Sequence, residues 1–97
     1  MTLSLRWTEQ AVTQLSAIAE QIATSSPVYA ETVVDRIVHR LAQARRFPES
    51  GRMVPEYERP EIRELVEFPY RVIYRRGAEA IDVVAIVHSR QDLGERR

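Results

Sequence analysis

The sequence predicts an α+β fold, a small antiparallel sheet covered by an α-helical hairpin, and three observations predict it. The stretch from Ile62 to Arg90 reads IRELVEF, breaks at Pro69, resumes as YRVIYRR, turns at RGAEA and finishes as AIDVVAIVHSR. Apolar residues recur there at period two, with β-branched and aromatic side chains dominating, which marks pleated strands. Upstream, two segments carry apolar residues at helical spacing instead. Leu3-Ser4-Leu5-Arg6-Trp7 alternates apolar and polar residues and reads as one more short strand.

Thr8 follows that strand as an N-cap, and Glu9 complements the helix dipole in the first turn. Ala11, Leu15, Ile18 and Ile22 form the stripe of the first helix, widened by Val12 and Ala19. Ser26 caps the second helix and Pro27 suits its first position. Its stripe is Ala30, Val33, Val34, Ile37, Val38, Leu41 and Ala44, and it ends near Phe47 because Pro48 disfavours helical geometry in the residue before it. The short linker makes the two helices an antiparallel hairpin. Residues 48–61 hold three prolines and a glycine in fourteen positions, an irregular connection.

In the first of the three strands, Ile62, Glu64, Val66 and Phe68 share a face, and Arg63, Leu65 and Glu67 point the other way. In the second, Tyr70, Val72 and Tyr74 oppose Arg71, Ile73 and Arg75. Residues 81–87 are apolar on both faces save Asp82, so this strand belongs in the middle of the sheet. If it is regular, His88 shares a face with Asp82, Val84 and Ile86. The order is strand, helix, helix, loop, strand, strand, strand.

At 97 residues the chain reads as a single domain, 1–97, with a modest core. Without cysteine there is no disulfide framework and no thiolate ligand or nucleophile, which fits a reducing cytoplasm. No apolar run approaches the roughly 20 residues a bilayer span needs, and the N-terminus lacks a secretory pattern, so a soluble cytoplasmic protein without membrane contact is expected. The formal net charge is zero, which argues against a protein held to nucleic acid by its overall field. All 14 basic residues are arginine, which excludes lysine chemistry.

Gly-Arg-x-Val-Pro-Glu at 51–56, Tyr-Arg-Val-Ile-Tyr-Arg at 70–75 and Val-x-His-x-Arg ending at Arg90, in this order and after WTEQAVTQLSAIAEQIA, make the chain resemble toxins of the RelE/ParE superfamily of type II toxin–antitoxin systems. The resemblance implies a twisted antiparallel sheet with the N-terminal strand and the helical hairpin packed on it. It also implies a toxin controlled by a cognate antitoxin. RelE-like members cut mRNA in the ribosome, and ParE-like members poison DNA gyrase.

Cleavage of RNA through its 2′-hydroxyl needs a base, cations at the scissile phosphate and an acid for the leaving oxygen. The RelE-like pattern of lysines and a C-terminal tyrosine is absent here. A reduced set remains for a ribonuclease: Arg63, Arg71 and Arg75 as phosphate clamps, His88 as acid or base, and Arg90. Glu64 and Glu67 lie on opposite faces and form no dyad, and Glu56, Glu58 and Glu61 read as surface charge. The ParE-like branch is therefore favoured: a gyrase inhibitor with no catalytic residues, cofactor or metal, contacting nucleic acid directly only in the ribonuclease alternative. A toxin that has lost its target and survives as an antitoxin-binding module is the third alternative. Antitoxin contact is expected at Trp7, as an aromatic anchor on an edge strand, and at exposed Arg71, Arg75 and Arg76. The role of the tail, Gln91–Arg97, is left open.

Overall fold

The structure, a computed structural model, describes residues 2–89. Strand β1 (Ser4–Trp7) leads into α1 (Glu9–Ala23) and α2 (Pro27–Arg46), followed by β2 (Arg52–Met53), β3 (Ile62–Glu67), β4 (Tyr70–Arg76) and β5 (Ala80–His88). The five strands form one open sheet in the order β1-β5-β4-β3-β2.

Both helices begin where their caps predict. Thr8 accepts from the Ala11 amide and Ser26 from the Tyr29 amide, each satisfying a donor that the first helical turn leaves unpaired. Thr8 does more, because its hydroxyl also donates to the Val83 carbonyl and ties the start of α1 to β5.

The hairpin covers one face of the sheet. Ala11 of α1 and Val33, Ile37, Leu41 and Ala44 of α2 pack on Leu65, Val72, Tyr74, Ile81, Val83 and Ile86, with Trp7, Leu15, Ile18 and Ile22 packed around them. Burying a large apolar side chain is worth about 1.5–3 kcal/mol, so this layer supplies most of the favourable term in folding. The second face is covered by the connection that follows β2. Val54, aided by Tyr57 and Ile62, packs on Ile73, Ala85 and Val87. A strap of chain from Val54 to Glu61 is thus laid across the face opposite the helices. Tyr74 fastens the start of this connection: its hydroxyl donates to Pro48 O at 2.7 Å and accepts from Gly51 N at 3.1 Å. Burial pushes its phenol pKa up. Gly51 is required there, since a Cβ would come within 2.7 Å of both Glu64 O and the Tyr74 hydroxyl oxygen.

The α+β class and the element order agree with the sequence reading, and β5 is internal as expected. Three features differ. β1 runs parallel to β5, pairing Ser4 with Ala80 through Trp7 with Val83, so the sheet is mixed and not wholly antiparallel. A two-residue strand, β2, emerges from the irregular connection and pairs with Arg63 and Glu64. The third is a bulge in β5: Ile73 pairs with Ala85 while Tyr74 pairs with Val83, leaving Val84 the extra residue. The parity of β5 inverts at that point. Ile81, Val83 and Ile86 all face the helices, which places His88 on the helix side and Asp82 on the opposite side. The expectation that His88 and Asp82 share a face is therefore corrected.

Candidate functional site

The face opposite the helices carries Arg71 and Arg75 of the arginines singled out in the sequence, and β4 positions both. Arg71 stands between Val66 of β3 and Val87 of β5. It was expected at the surface; it is instead 6% exposed. Its Nε donates to Glu64 Oε1 at 2.7 Å, and its two terminal nitrogens donate to the Glu56 carboxylate at 3.0 and 2.8 Å. The second contact is a bidentate fork, the strongest geometry available to this pair. Glu64, 1% exposed, also accepts from Arg52 of β2. The hydrogen bonds to Glu56 raise the Arg71 pKa against the opposing effect of burial. The guanidinium is thus fixed as a cation and turned inward on the chain's own carboxylates. Its structural effect is to clamp the strap to β3 and β4.

The other arginines divide among separate tasks. Arg75 reaches Asp82 at 3.4 Å from a side chain that is 49% exposed, and Arg6 of β1 grips the same carboxylate at 2.7 Å. Asp82 is accordingly held below its usual carboxylate range, first by the hydrogen bond from Arg6 and then by the charges of both arginines. Arg76 lies 3.4 Å from the Glu49 carboxylate, an ion pair in which its Nε makes no hydrogen bond. Arg63 donates to the carbonyls of Pro60 and Gly51 and so braces both ends of the connection that carries the strap.

His88 sits edge-on to Tyr70, ring centroids 6.0 Å apart. The two line an open cleft of ≈510 Å³ with Gln14, Ile18, Ile22 and Ile86. Arg63 pairs with Tyr74 and His88 with Tyr70, four residues apart along β4, or about 13 Å at the usual strand rise. Arg71 and Arg75 are on the other face. The ribonuclease candidates are therefore not brought together, and Arg90, with the tail Gln91–Arg97, lies outside the described residues. As read from the sequence, Glu64 and Glu67 part company: Glu67 turns to Arg40 of α2. Among the described residues no group of His, Asp and Glu could hold a metal ion.

Trp7 is half-buried against the helix-side core, at the sheet's edge. Ser4 N donates to Glu79 O and Thr8 N to Val83 O, so alternate residues of β1 turn toward β5. Leu5 and Trp7 consequently direct their backbone groups outward, the disposition of an unpaired edge. The same edge is closed at Leu3, whose amide and carbonyl are both taken by Arg45.

The sequence reading missed the partners of Arg71. Glu56 was taken as surface charge, and Glu64 was weighed only against Glu67. A signal existed for Glu64, because it shares strand parity with Ile62 and lies diagonal to Arg71 once β3 and β4 are in register. None existed for Glu56, which arrives from the strap.

Comparison with known proteins places the fold. A chain from a solved structure titled "Chromosomal ParDE TA system from P. aeruginosa" superposes with a TM-score of 0.73 at 26% identity, covering 90% of this chain and 96% of that one. No curated protein matches the chain. The family model for the ParE toxin of the type II toxin–antitoxin system, parDE, matches residues 5–93, nearly the whole length, and the chain therefore belongs to the ParE toxin family.

Proposed function

We propose that this ParE-family toxin acts in the cytoplasm by binding DNA gyrase and blocking replication, without chemistry of its own, and that a cognate antitoxin neutralises it. The observation that carries the reading is the inward commitment of Arg71. A phosphate clamp needs a guanidinium open to an incoming anion, and this one already holds two carboxylates in a buried site. The distribution of Arg63, Arg75 and His88 over two faces and two ends of the sheet supports the same reading.

For the antitoxin we propose the open edge of β1. An extended segment adding alongside Leu5 and Trp7 gains main-chain hydrogen bonds and the Trp7 ring as an anchor. Arg75 and Arg76, with Arg6 beside them, offer charge to an acidic segment. Arg71 leaves this set, since Glu56 and Glu64 occupy it.

The test is induction of the chain alone in bacteria, with DNA synthesis and protein synthesis followed separately by pulse labelling. An early fall in DNA synthesis with filamentation is expected. An immediate fall in translation with codon-phased mRNA cuts would replace the reading with mRNA cleavage. Unimpaired growth despite soluble protein would leave an antitoxin-binding module without a target.

A further inference from the structure

The cleft beside His88 stands where the chain leaves the sheet, and α1 explains its form. Past Trp7, where β1 ends, side chains of α1 take over the edge of β5: Gln10 Nε2 donates to the Val84 carbonyl at 3.2 Å, and Gln14 Oε1 accepts from the Ile86 amide at 2.8 Å. Beyond Gln14 the space between α1 and β5 is the cleft of ≈510 Å³, walled by Ile18, Gln21 and Ile22 on the helix and by Tyr70, Ile86 and His88 on the sheet. Ile18, Ile22 and Tyr70 are only partly buried, so these walls keep apolar surface in water.

The length and content of the chain beyond β5 fit this space. The Ser89 amide donates to the Pro69 carbonyl at 2.6 Å, and β4 begins only at Tyr70, so the chain parts from the sheet at the mouth of the cleft. Arg90-Gln91-Asp92-Leu93-Gly94-Glu95-Arg96-Arg97 follow, with Leu93 the one large apolar side chain and two arginines at the end. The match to the family model runs past β5 and stops at Leu93. From Ser89 to Leu93 the chain spans at most about 14 Å, and the cleft runs about 12 Å along α1 from Gln14 to Ile22. Glu20, on the adjoining flank of the same helical turns, is exposed and enters no salt bridge among the described residues. It borders the groove between α1 and α2, whose lining holds Glu31 and Asp35 and no basic side chain.

We propose that the C-terminal tail folds back over the cleft, with Leu93 seated against Ile18, Ile22 and Tyr70 and with Arg96 and Arg97 facing Glu20. Leu93 to Arg96 spans about 10 Å, one helix diameter, which carries the basic end from the cleft side of α1 to its acidic side. Burial of Leu93 and of the cleft walls supplies the favourable term, while the exposed ion pairs set direction and contribute little. The contact lies within the chain and is independent of gyrase as target.

The chain has no cysteine, so an introduced pair reports this contact alone. Gln21→Cys, at an exposed position on the cleft wall, is combined with Gly94→Cys in the full chain. The rate of the intramolecular disulfide under mild oxidation is measured with Leu93 intact and with Leu93→Asp. Leu93→Asp is expected to slow closure at least about tenfold, the loss of effective concentration when a held tail is released. Glu20→Arg is expected to slow it about two- to threefold, the scale of an exposed ion pair, and Arg96→Glu with Arg97→Glu to recover the rate. Helical circular dichroism checks that each variant stays folded. Equal rates with and without Leu93→Asp overturn the proposal, because a tail that merely diffuses past Gln21 does not need the leucine. Disulfides formed between chains instead of within one overturn it too. So does a Gln21→Cys thiol alkylated freely in the chain alone and shielded only when antitoxin is bound, for the antitoxin then owns the cleft.

Discussion

Arg71 illustrates how one side chain changes meaning with its surroundings. In sequence it belongs to an alternating strand face with Ile73 and Arg75, the pattern of a solvated row. In the structure it is the cation of a buried cluster with Glu64 and Glu56, and Arg52 reaches Glu64 from outside. Removing one partner from a buried pair strands the other in a poorly solvating site, typically at about 3–5 kcal/mol. We therefore expect Arg71→Ala to lose about that much stability in urea denaturation, a large part of what a small domain has. Glu64→Gln keeps an acceptor for Arg71 and is expected to cost less, about 1–3 kcal/mol. Equal stability of Arg71→Ala and the unmodified chain would mean that the strap is held by Val54 and Tyr57 alone.

At the level of elements, Asp82 joins three strands. It receives Arg6 from β1 and Arg75 from β4 while standing on β5, so one carboxylate bridges the parallel and the antiparallel parts of the sheet. Its folded pKa is depressed. The stabilisation is thus fully present above the unfolded value, about 3.9, and is lost as pH falls through the folded value. Acid titration of stability should show this loss, and Asp82→Asn should flatten that part of the profile while lowering stability at neutral pH. An unchanged acid profile in Asp82→Asn would assign the acid sensitivity to other carboxylates. The partners are more than a third exposed, so the effect is that of a screened surface network, well below that of the Arg71 cluster.

For the whole molecule, the sheet separates two environments: helices on one face, the strap on the other. His88 and Arg71 fall on opposite sides of that division, and this makes His88 the cleaner probe of the ribonuclease alternative. Arg71→Ala is expected to be destabilised, so a loss of toxicity in it does not distinguish lost folding from lost chemistry. His88 is an exposed strand-end residue resting on Tyr70, and His88→Ala is expected to remain folded, antitoxin-binding and toxic in the growth assay. Loss of toxicity in a folded His88→Ala chain would restore the histidine to a reacting site.

What the sequence by itself determined is everything written in local patterns. Thr8 and Ser26 as caps, Pro27 at a first helical position, the two helical stripes, the three strands and the break at Pro69 all follow from steric and hydrogen-bonding preferences acting within a few residues. The motif order, from the N-terminal WTEQAVTQLSAIAEQIA through Gly51 to Arg90, carried the family as well. What only the tertiary structure decided depends on groups far apart in the chain. The parallel pairing of β1 with β5 joins residues 76 positions apart, such as Arg6 and Asp82, and leaves no local signature. The bulge at Val84, which sends His88 to the helix side, arises from the register between β4 and β5. Above all, the fate of Arg71 required Glu56 to be carried across the sheet by the strap. A charge is exposed or buried according to what is folded over it, and strand parity gives its face but not its cover.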